Sequence, residues 1–443
     1  MSESLHVAVI GLGYVGSCIA AALAERGTSV VGIDTDELLV AELNRGSCRF
    51  REHELEEVLF RAMAAGRLRV TTAYQDVAGA DVVLIAVGTP VRDDGSLADT
   101  QLRGACESLA PHLRPGQLLV LKSTVPPGTT RGVALPLLEA GGLRGGVDFK
   151  LAFCPERMAE GNALADLRTF PIVVGGIDPD STTAAARFWR RALGVSVLGQ
   201  DSLEAAEIVK LADNWWIDLN IAMANELAKF CALFSVDVLD VIAAANSIPK
   251  GEGKVNILLP SVGVGGSCLT KDPWMVWHSA RRRGLDLATT QVSRKVNAGM
   301  PAYTARLIVE ELGAAGKDPA GCVVAVLGLA FKNNTGDLRA TPVADAVATL
   351  VAAGVDVRVY DPLADCAQAE ALLGIRPAES LQDAVRGADC LAVFALHREF
   401  EKIDFAELPV ARPCLIMDGR AYFAKEQIAA FRRLGFTYRG VGR

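Results

Sequence analysis

Metal and disulfide chemistry have little to work with in this chain. Five histidines are spread over 443 residues. The ten cysteines, at 18, 48, 106, 154, 231, 268, 322, 366, 390 and 414, include no Cys-x-x-Cys pair and do not cluster with histidine. That scatter speaks against a zinc site and against a disulfide framework. Any one of them is expected to be a small buried hydrophobe, in the reducing cytosol. Positive charge is not in excess either. The formal net charge is -7, which argues against a nucleic-acid surface and against an anionic membrane. A local pocket for a small anion stays compatible with it. No stretch reaches the roughly 18 uncharged apolar residues of a membrane span. The opening MSESLHVAVIGLG lacks the basic segment of a signal peptide, and its apolar run reads as a strand.

What the chain does have is core. Hydrophobic residues make up 51% and charged residues 22%, the balance of a packed globular protein of about two to three domains. Over the first 200 residues short apolar runs alternate with helical patterns. LHVAVIGLG, SVVGIDTD, RLRVTT, ADVVLIAVGTP, GQLLVLKST and FPIVVGG read as strands. Alternation of this kind predicts a parallel doubly wound sheet. From Ser202 to about Phe234 glycine and proline vanish and apolar residues occupy more than one face, which predicts a long buried helix. Such a helix packs between domains or subunits, so we expect it to organise a homodimer. Alternation resumes after Pro301, with CVVAVLGLAF, VDVRVYDP, ADCLAVFAL and PCLIMDGR as strands. The expected architecture is α/β, two Rossmann-like doubly wound domains joined by a long central helix. The expected segments are 1–200, 201–300 and 301–443.

GLGYVG, residues 11–16, sits between a strand and a helix. In a dinucleotide fingerprint Gly11 permits the tight turn, Gly13 lets a pyrophosphate approach the backbone, and Gly16 allows close helix–strand packing. The helix N-terminus adds partial positive charge. Alone the pattern is weak. Here Asp34 closes the next strand, 23 residues after Gly11, where a carboxylate bonds the adenosine ribose and repels a 2′-phosphate. NAD is therefore expected rather than NADP. Asp36 adds to that repulsion or simply caps a helix. Gly88-Thr89-Pro90 and the turn Ser123 to Gly128 follow later strands and are expected to line the same crevice, unless they are ordinary turn chemistry.

SVGVGGSCLTKDPW, residues 261–274, packs three glycines before Cys268 and puts Lys271 and Asp272 after it. This is either a tight turn around a buried cysteine or a nucleophile on a backbone that a ligand approaches closely. GLGYVG, STVPPGTT, CPERMAEG, Lys210 with Asn214, GVGGSCLTKD, GLAFK and Asp337 with Arg339 occur in this order. Together they resemble the UDP-glucose/GDP-mannose dehydrogenase family, over nearly the whole chain. The resemblance implies a four-electron oxidation of C6 of a nucleotide-linked hexose, alcohol to carboxylate, with two NAD per sugar. A two-electron dehydrogenase needs no nucleophile, whereas a thiolate can hold the aldehyde as a thiohemiacetal that is then oxidised to a thioester.

By that resemblance Cys268 is the nucleophile, and Gly265 and Gly266 make room for nicotinamide and sugar. Lys210 stabilises charge at C6, with Asn214 one helical turn on. Asp272 and Thr124 position a water. Glu156 activates water against the thioester, a task an elevated pKa would suit. Glu160, Lys254, Phe331 and Lys332 fall to the substrate. Gly11, Gly13, Val15, Gly16, Asp34, Thr89, Pro90, Ser123, Lys271 and Arg339 fall to the cofactor. Lys254 departs from the arginine often found there, and a point charge replaces a bidentate fork. Each charged residue taken alone is more often a solvated surface group.

The sugar is less legible. GGSC with Lys271-Asp272 resembles the glucose type, while CPER, Gly-Val-Gly-Gly and Asp-Pro-Trp resemble the amino-sugar type. The expected substrate is UDP- or dTDP-glucose, and the alternative is a UDP-N-acetylhexosamine. Two more distant readings are a two-electron hydroxy-acid dehydrogenase, which would leave Cys268 unexplained, and a non-catalytic NAD or nucleotide-sugar sensor. Epimerisation would call for a Tyr-x-x-x-Lys pair after the fingerprint, and none is found.

Overall fold

The computed structural model describes residues 5–92, 94–251 and 253–443. Fifteen strands are found among them. The first eight are β1 (His6–Ile10), β2 (Ser29–Ile33), β3 (Leu68–Thr71), β4 (Val82–Ile85), β5 (Leu118–Leu121), β6 (Lys150–Phe153), β7 (Ile172–Gly176) and β8 (Val197–Gln200). They form one sheet in the order β3-β2-β1-β4-β5-β6-β7-β8. β9 (Pro249–Lys250) and β10 (Gly253–Lys254) make a small antiparallel ribbon. β11 (Val323–Leu327), β12 (Asp356–Tyr360), β13 (Cys390–Val393), β14 (Cys414–Asp418) and β15 (Phe436–Gly440) form a parallel sheet in the order β12-β11-β13-β14-β15.

The central strands carry no polar face because helices cover both sides of a doubly wound sheet. β4 reads VVLI and β5 reads LLVL, every residue buried. Alternate residues feed opposite cores. Val7, Val9, Leu84 and Val120 join one cluster, and Ala8, Ile10, Ile85 and Leu121 the other. The second sheet divides likewise, Val324 and Val326 to one side, Ala325 and Leu327 to the other.

The first sheet departs from the parallel expectation at one place. β6 pairs with β7 antiparallel, and β7 with β8 parallel. The segment joining β6 to β7 holds only a seven-residue helix, Ala163–Thr169. The 15-residue helix Pro179–Leu193 makes the return between β7 and β8.

By its internal contacts the chain divides into two compact units. One runs up to Asp213 and includes Met275–Leu285; the other comprises Asn214–Trp274 and Asp286–Arg443. The break falls inside the central helix, Leu203–Leu233, whose 31 residues match the expected long helix. No helix among the described residues is long and apolar enough to cross a membrane.

Candidate active site

In the first unit the fingerprint helix, Tyr14–Glu25, starts directly after β1 with Gly13 as its N-cap and no side chain capping it. Its first amides are therefore left for a ligand. Gly11 has φ +85, and a Cβ there would sit 2.9 Å from the Ala86 carbonyl oxygen. A Cβ on Gly16 would fall 1.8 Å from the Gly11 oxygen, so helix and turn touch. A Cβ on Gly13 would meet nothing within 4 Å. That open space is a cradle a pyrophosphate fits and a side chain would fill. Asp34 Oδ2 accepts from Leu12 N–H at 2.6 Å, which draws the end of β2 to the glycine turn and leaves the carboxylate half-buried. Asp36 turns out to be a helix cap. It accepts from Leu38 and Leu39 N–H and pairs with Arg49 at 3.2 Å. The Leu39 amide and Arg49 hold its carboxyl below the ordinary value.

The turns after β4 and β5 are fixed by groups the sequence did not single out. Ser123 donates to the Val87 carbonyl at 2.6 Å, tying the two turns together beside half-buried Thr89 and Thr124. Glu207, fully buried on the central helix, accepts from Gly128 N–H at 2.5 Å, Thr130 N–H at 2.9 Å and the Thr130 hydroxyl at 2.6 Å. Burial raises its carboxyl pKa against those donors. Glu52 does the same for the loop after β6, taking the Tyr14 hydroxyl and the amides of Gly161, at 2.6 Å, and Ala163, at 3.2 Å. It thereby links the fingerprint helix to the segment that carries Glu156 and Glu160.

Glu156 sits against a buried lysine. Its Oε1 accepts from Arg157 and Met158 N–H at 2.7 and 2.8 Å, and its Oε2 lies 3.1 Å from Lys122 Nζ. Burial pushes this carboxyl up, but the Lys122 ammonium and the two amides outweigh it and leave it below the ordinary glutamate value. This corrects the expectation of an elevated pKa. Lys210 is 9% exposed on the central helix, and Asn214 follows four residues later.

In the second unit Cys268 is exposed although Ser261 to Gly266 before it are buried. The backbone reverses tightly here, with Asp272 N–H donating to the Cys268 carbonyl at 2.9 Å at the start of the helix Asp272–Arg281. Asp272 is fully buried. Lys271 Nζ donates to its Oδ1 at 2.9 Å and the Asn214 amide to its Oδ2. Both oxygens are thus held by named donors, and the carboxylate is fixed in direction.

The two glycines before the cysteine do a different job from the one expected. A Cβ on Gly265 would lie 2.5 Å from Phe331 Cβ and 2.7 Å from the Ala340 oxygen; one on Gly266, at φ +84, would lie 2.8 Å from the Phe331 ring. The space they leave is taken by the loop Gly328–Lys332 and not by a ligand. Gly266 N–H also donates to the Arg339 carbonyl at 3.1 Å. Arg339 itself clasps Asp337 through Nε, at 2.9 and 2.8 Å. Lys254 is exposed on β10.

The second sheet repeats the strand–turn–helix–strand–Asp order of the first in its backbone only. Asp361, after β12, accepts from Leu329 N–H at 2.6 Å as Asp34 does from Leu12, but it is buried and its Oδ2 lies 3.0 Å from His397 Nε2.

Comparison with known proteins decides what the two units belong to. Sequence models of the UDP-glucose/GDP-mannose dehydrogenase family match in three places: the NAD binding domain at 5–193, the central domain at 204–299 and the UDP binding domain at 325–425. The chain belongs to that family. It is an NAD-dependent nucleotide-sugar dehydrogenase, with the α/β architecture expected. The UDP-N-acetyl-D-mannosamine dehydrogenase of Pyrococcus horikoshii is 33% identical over 99% of both chains. The UDP-glucose 6-dehydrogenase of Haloferax volcanii is 35% identical over 96% of this chain and 98% of its own. Among solved structures, a UDP-glucose dehydrogenase from Pyrobaculum islandicum superposes with TM-score 0.87 at 32% identity, covering 100% of this chain and 98% of the other.

For this family member the structure keeps Asp272, Lys271 and Asn214 together in the second unit and Glu156 with its loop in the first. Lys122, Glu52, Glu207 and His397 were missed. The signal for Lys122 was present: it is the lone cation directly after an all-apolar strand, which calls for a buried partner.

Proposed function

We propose that this dehydrogenase oxidises C6 of a UDP-N-acetylhexosamine to the uronic acid. The observation that carries the chemistry is Cys268, an exposed cysteine at the end of a buried glycine loop and beside a buried, fully hydrogen-bonded Asp272. What favours the amino sugar over the glucose expected from sequence is the relatives. Several, from different organisms, are UDP-N-acetyl-D-mannosamine or NDP-N-acetyl-D-galactosaminuronic acid dehydrogenases. UDP-glucose is the second reading, favoured by the relatives from Haloferax volcanii and Pyrobaculum islandicum.

In this reading NAD, when bound, takes up a hydride at each of the two oxidations. Gly11, Gly13, Val15, Gly16 and Asp34 hold its adenosine and pyrophosphate side; Thr89, Pro90, Ser123, Thr124, Lys271 and Arg339 complete the cofactor contacts. Lys210 and Asn214 stabilise charge on the C6 oxygen, and Asp272, held by Lys271 and Asn214, orients a water with Thr124. The Cys268 thiolate adds to the aldehyde carbon, giving a thiohemiacetal that loses its hydride to become a thioester. Glu156 takes a proton from the water that hydrolyses it. Glu160, Lys254, Gly265, Phe331 and Lys332 serve the substrate, with Gly265 acting through its packing on Phe331.

The three segments 1–200, 201–300 and 301–443 remain part of this reading, supported by the limits of the family matches. So does a homodimer through the central helix, supported by the exposure of Trp216, Met223, Phe230 and Leu233 on it. The deciding variant is Cys268→Ala, which should form no acid from any sugar nucleotide. Acid at the normal rate would remove the covalent mechanism.

A further inference from the structure

Among the described residues Lys122 is the one buried cation of the first unit that the reaction as described leaves unused. Its side chain is 2% exposed. Nζ donates to the Pro155 carbonyl at 3.4 Å and the Cys154 sulfur at 3.6 Å, and lies 5.1 Å from the centre of the Trp189 ring. Burial pushes the Cys154 thiol up to about 11, so it is neutral near pH 7. Burial likewise raises the thiol of Cys18, on the fingerprint helix. Glu156 is then the only carboxylate paired with Lys122 among the described residues, at 3.1 Å. The Trp189 face accommodates the ammonium without a second anion.

The two oxygens of Glu156 are not equivalent. Oε1 is occupied by two backbone amides. Oε2 is buried, and Lys122 Nζ stands 3.1 Å from it. An isolated buried carboxyl would protonate rather than ionise, and a protonated Glu156 could take no proton from water. A single ammonium contact takes at most one of the two lone pairs of Oε2, so it keeps the oxygen charged and leaves it one acceptor site.

We propose that Lys122 is a positioning residue for the hydrolytic half of the reaction, holding Glu156 ionised with Oε2 free to act as base. This rests on the reading of Glu156 given above. In the step, a water oxygen bonds to the thioester carbon while Oε2 takes one of its protons. The C–S bond then breaks, its electron pair leaves on the Cys268 sulfur, and the sugar carboxylic acid ionises to solvent. The proton held by Glu156 passes to the thiolate or to solvent. No oxidant is consumed, because both hydrides have already left. Lys122 makes no contact with substrate and acts only through Glu156.

The test uses the full-length enzyme, NAD⁺ and a UDP-N-acetylhexosamine that it turns over, under rapid mixing. Lys122→Met should keep a burst of two NADH per active site within about threefold of wild type. Its steady rate should fall roughly 10²- to 10³-fold, the usual weight of a general base. The intact mass of quenched enzyme should carry the sugar as an adduct lost in Cys268→Ala. Raising the pH should restore the Lys122→Met rate in part, as Glu156 ionises without its cation. Glu156→Gln should show the same block with no recovery. Lys122→Arg should restore hydrolysis to within about tenfold. Lys122→Gln, which keeps a donor for Pro155 and lacks the charge, decides the matter should the methionine variant fail to fold. An uncharged variant that hydrolyses at the wild-type rate, or one that folds and loses the burst itself, overturns the assignment. If Glu156→Gln accumulates no adduct, it is instead the reading of Glu156 that fails.

Discussion

Cys268 is set apart from most of the other cysteines by exposure. Seven of the ten are buried, as a small hydrophobe should be, and those at 18, 106, 390 and 414 have their thiols pushed up by burial. Cys366 is exposed as well, but it opens a surface helix with Asp365 as cap and follows no glycine loop. One consequence is selective labelling. A bulky thiol reagent should modify Cys268 and Cys366 before the seven buried positions, and loss of activity should follow Cys268 alone, as read by peptide mass mapping with Cys366→Ser as control. Glu156 carries a pH signature. Its folded-state pKa lies below the ordinary value, so its contribution to stability is complete above that value and is lost as pH falls through the folded pKa. Lys122, raised by its neighbours against its own burial, contributes below its unfolded pKa and loses this only in strong base. The pair is therefore intact across neutral pH. In Lys122→Met only the two amides on Oε1 oppose burial, the largest influence on Glu156, and its pKa should rise. Stability should then decline as pH rises through the window between the unfolded and the raised value. Urea midpoints taken between about pH 4 and 7 would show no loss from this group in the wild type over the window where the variant loses stability with rising pH.

Among the elements, the glycine turn separates fold from function within one motif. Gly16→Ala places a Cβ 1.8 Å from a backbone oxygen, and overpacking of that kind costs about 1–3 kcal/mol, so the melting temperature should drop. Gly13→Ala meets no atom of the chain within 4 Å, so it should leave the melting temperature within a degree or two while NAD affinity falls about tenfold or more. Calorimetric titration and thermal melts of the two variants give opposite patterns if the open space is the pyrophosphate cradle. Glu207 belongs to the same scale, because it caps the turn that carries Thr124. Removing it leaves buried amides at Gly128 and Thr130 without an acceptor, a cost of about 1–3 kcal/mol. Glu207→Ala should therefore lower the urea midpoint and kcat together. The turn was legible from its prolines and glycines, but its anchor was not. Nothing local marks an acid 77 residues after Thr130 as its partner, because pairing at that separation is a product of the tertiary fold. Gly265 and Gly266 teach the same lesson from the other side. Their smallness was visible and suggested room for a ligand, whereas only the structure shows Phe331 filling it.

For the molecule as a whole, the strand runs gave both sheets and the long helix, since buried parallel strands read as plain apolar runs. β6, β8 and β15 were not foreseen. β8 is half exposed and holds a glycine, β6 merges into the CPER loop, and β15 carries Thr437 and Arg439 among its five residues. β8 and β15 present no uninterrupted apolar run, and the run at 151–154 is only four residues long before Pro155. Assembly is a whole-molecule property too. If the central helix pairs two copies, Met223→Asp with Phe230→Asp should yield a monomer by light scattering, and an unchanged mass would reject that interface. The proposed substrate contacts likewise come from several segments, and motif by motif the sequence resembles two sugar types.

The most direct test is the number of NADH formed per sugar nucleotide consumed. It would be measured with NAD⁺ and, separately, UDP-N-acetylmannosamine, UDP-N-acetylglucosamine, UDP-N-acetylgalactosamine and UDP-glucose. The proposed reaction gives two NADH per sugar, with an N-acetylhexosamine as the preferred substrate and a uronic acid as product. One NADH per sugar with release of an aldehyde would contradict the thioester route through Cys268, and two NADH with UDP-glucose alone would contradict the choice of sugar.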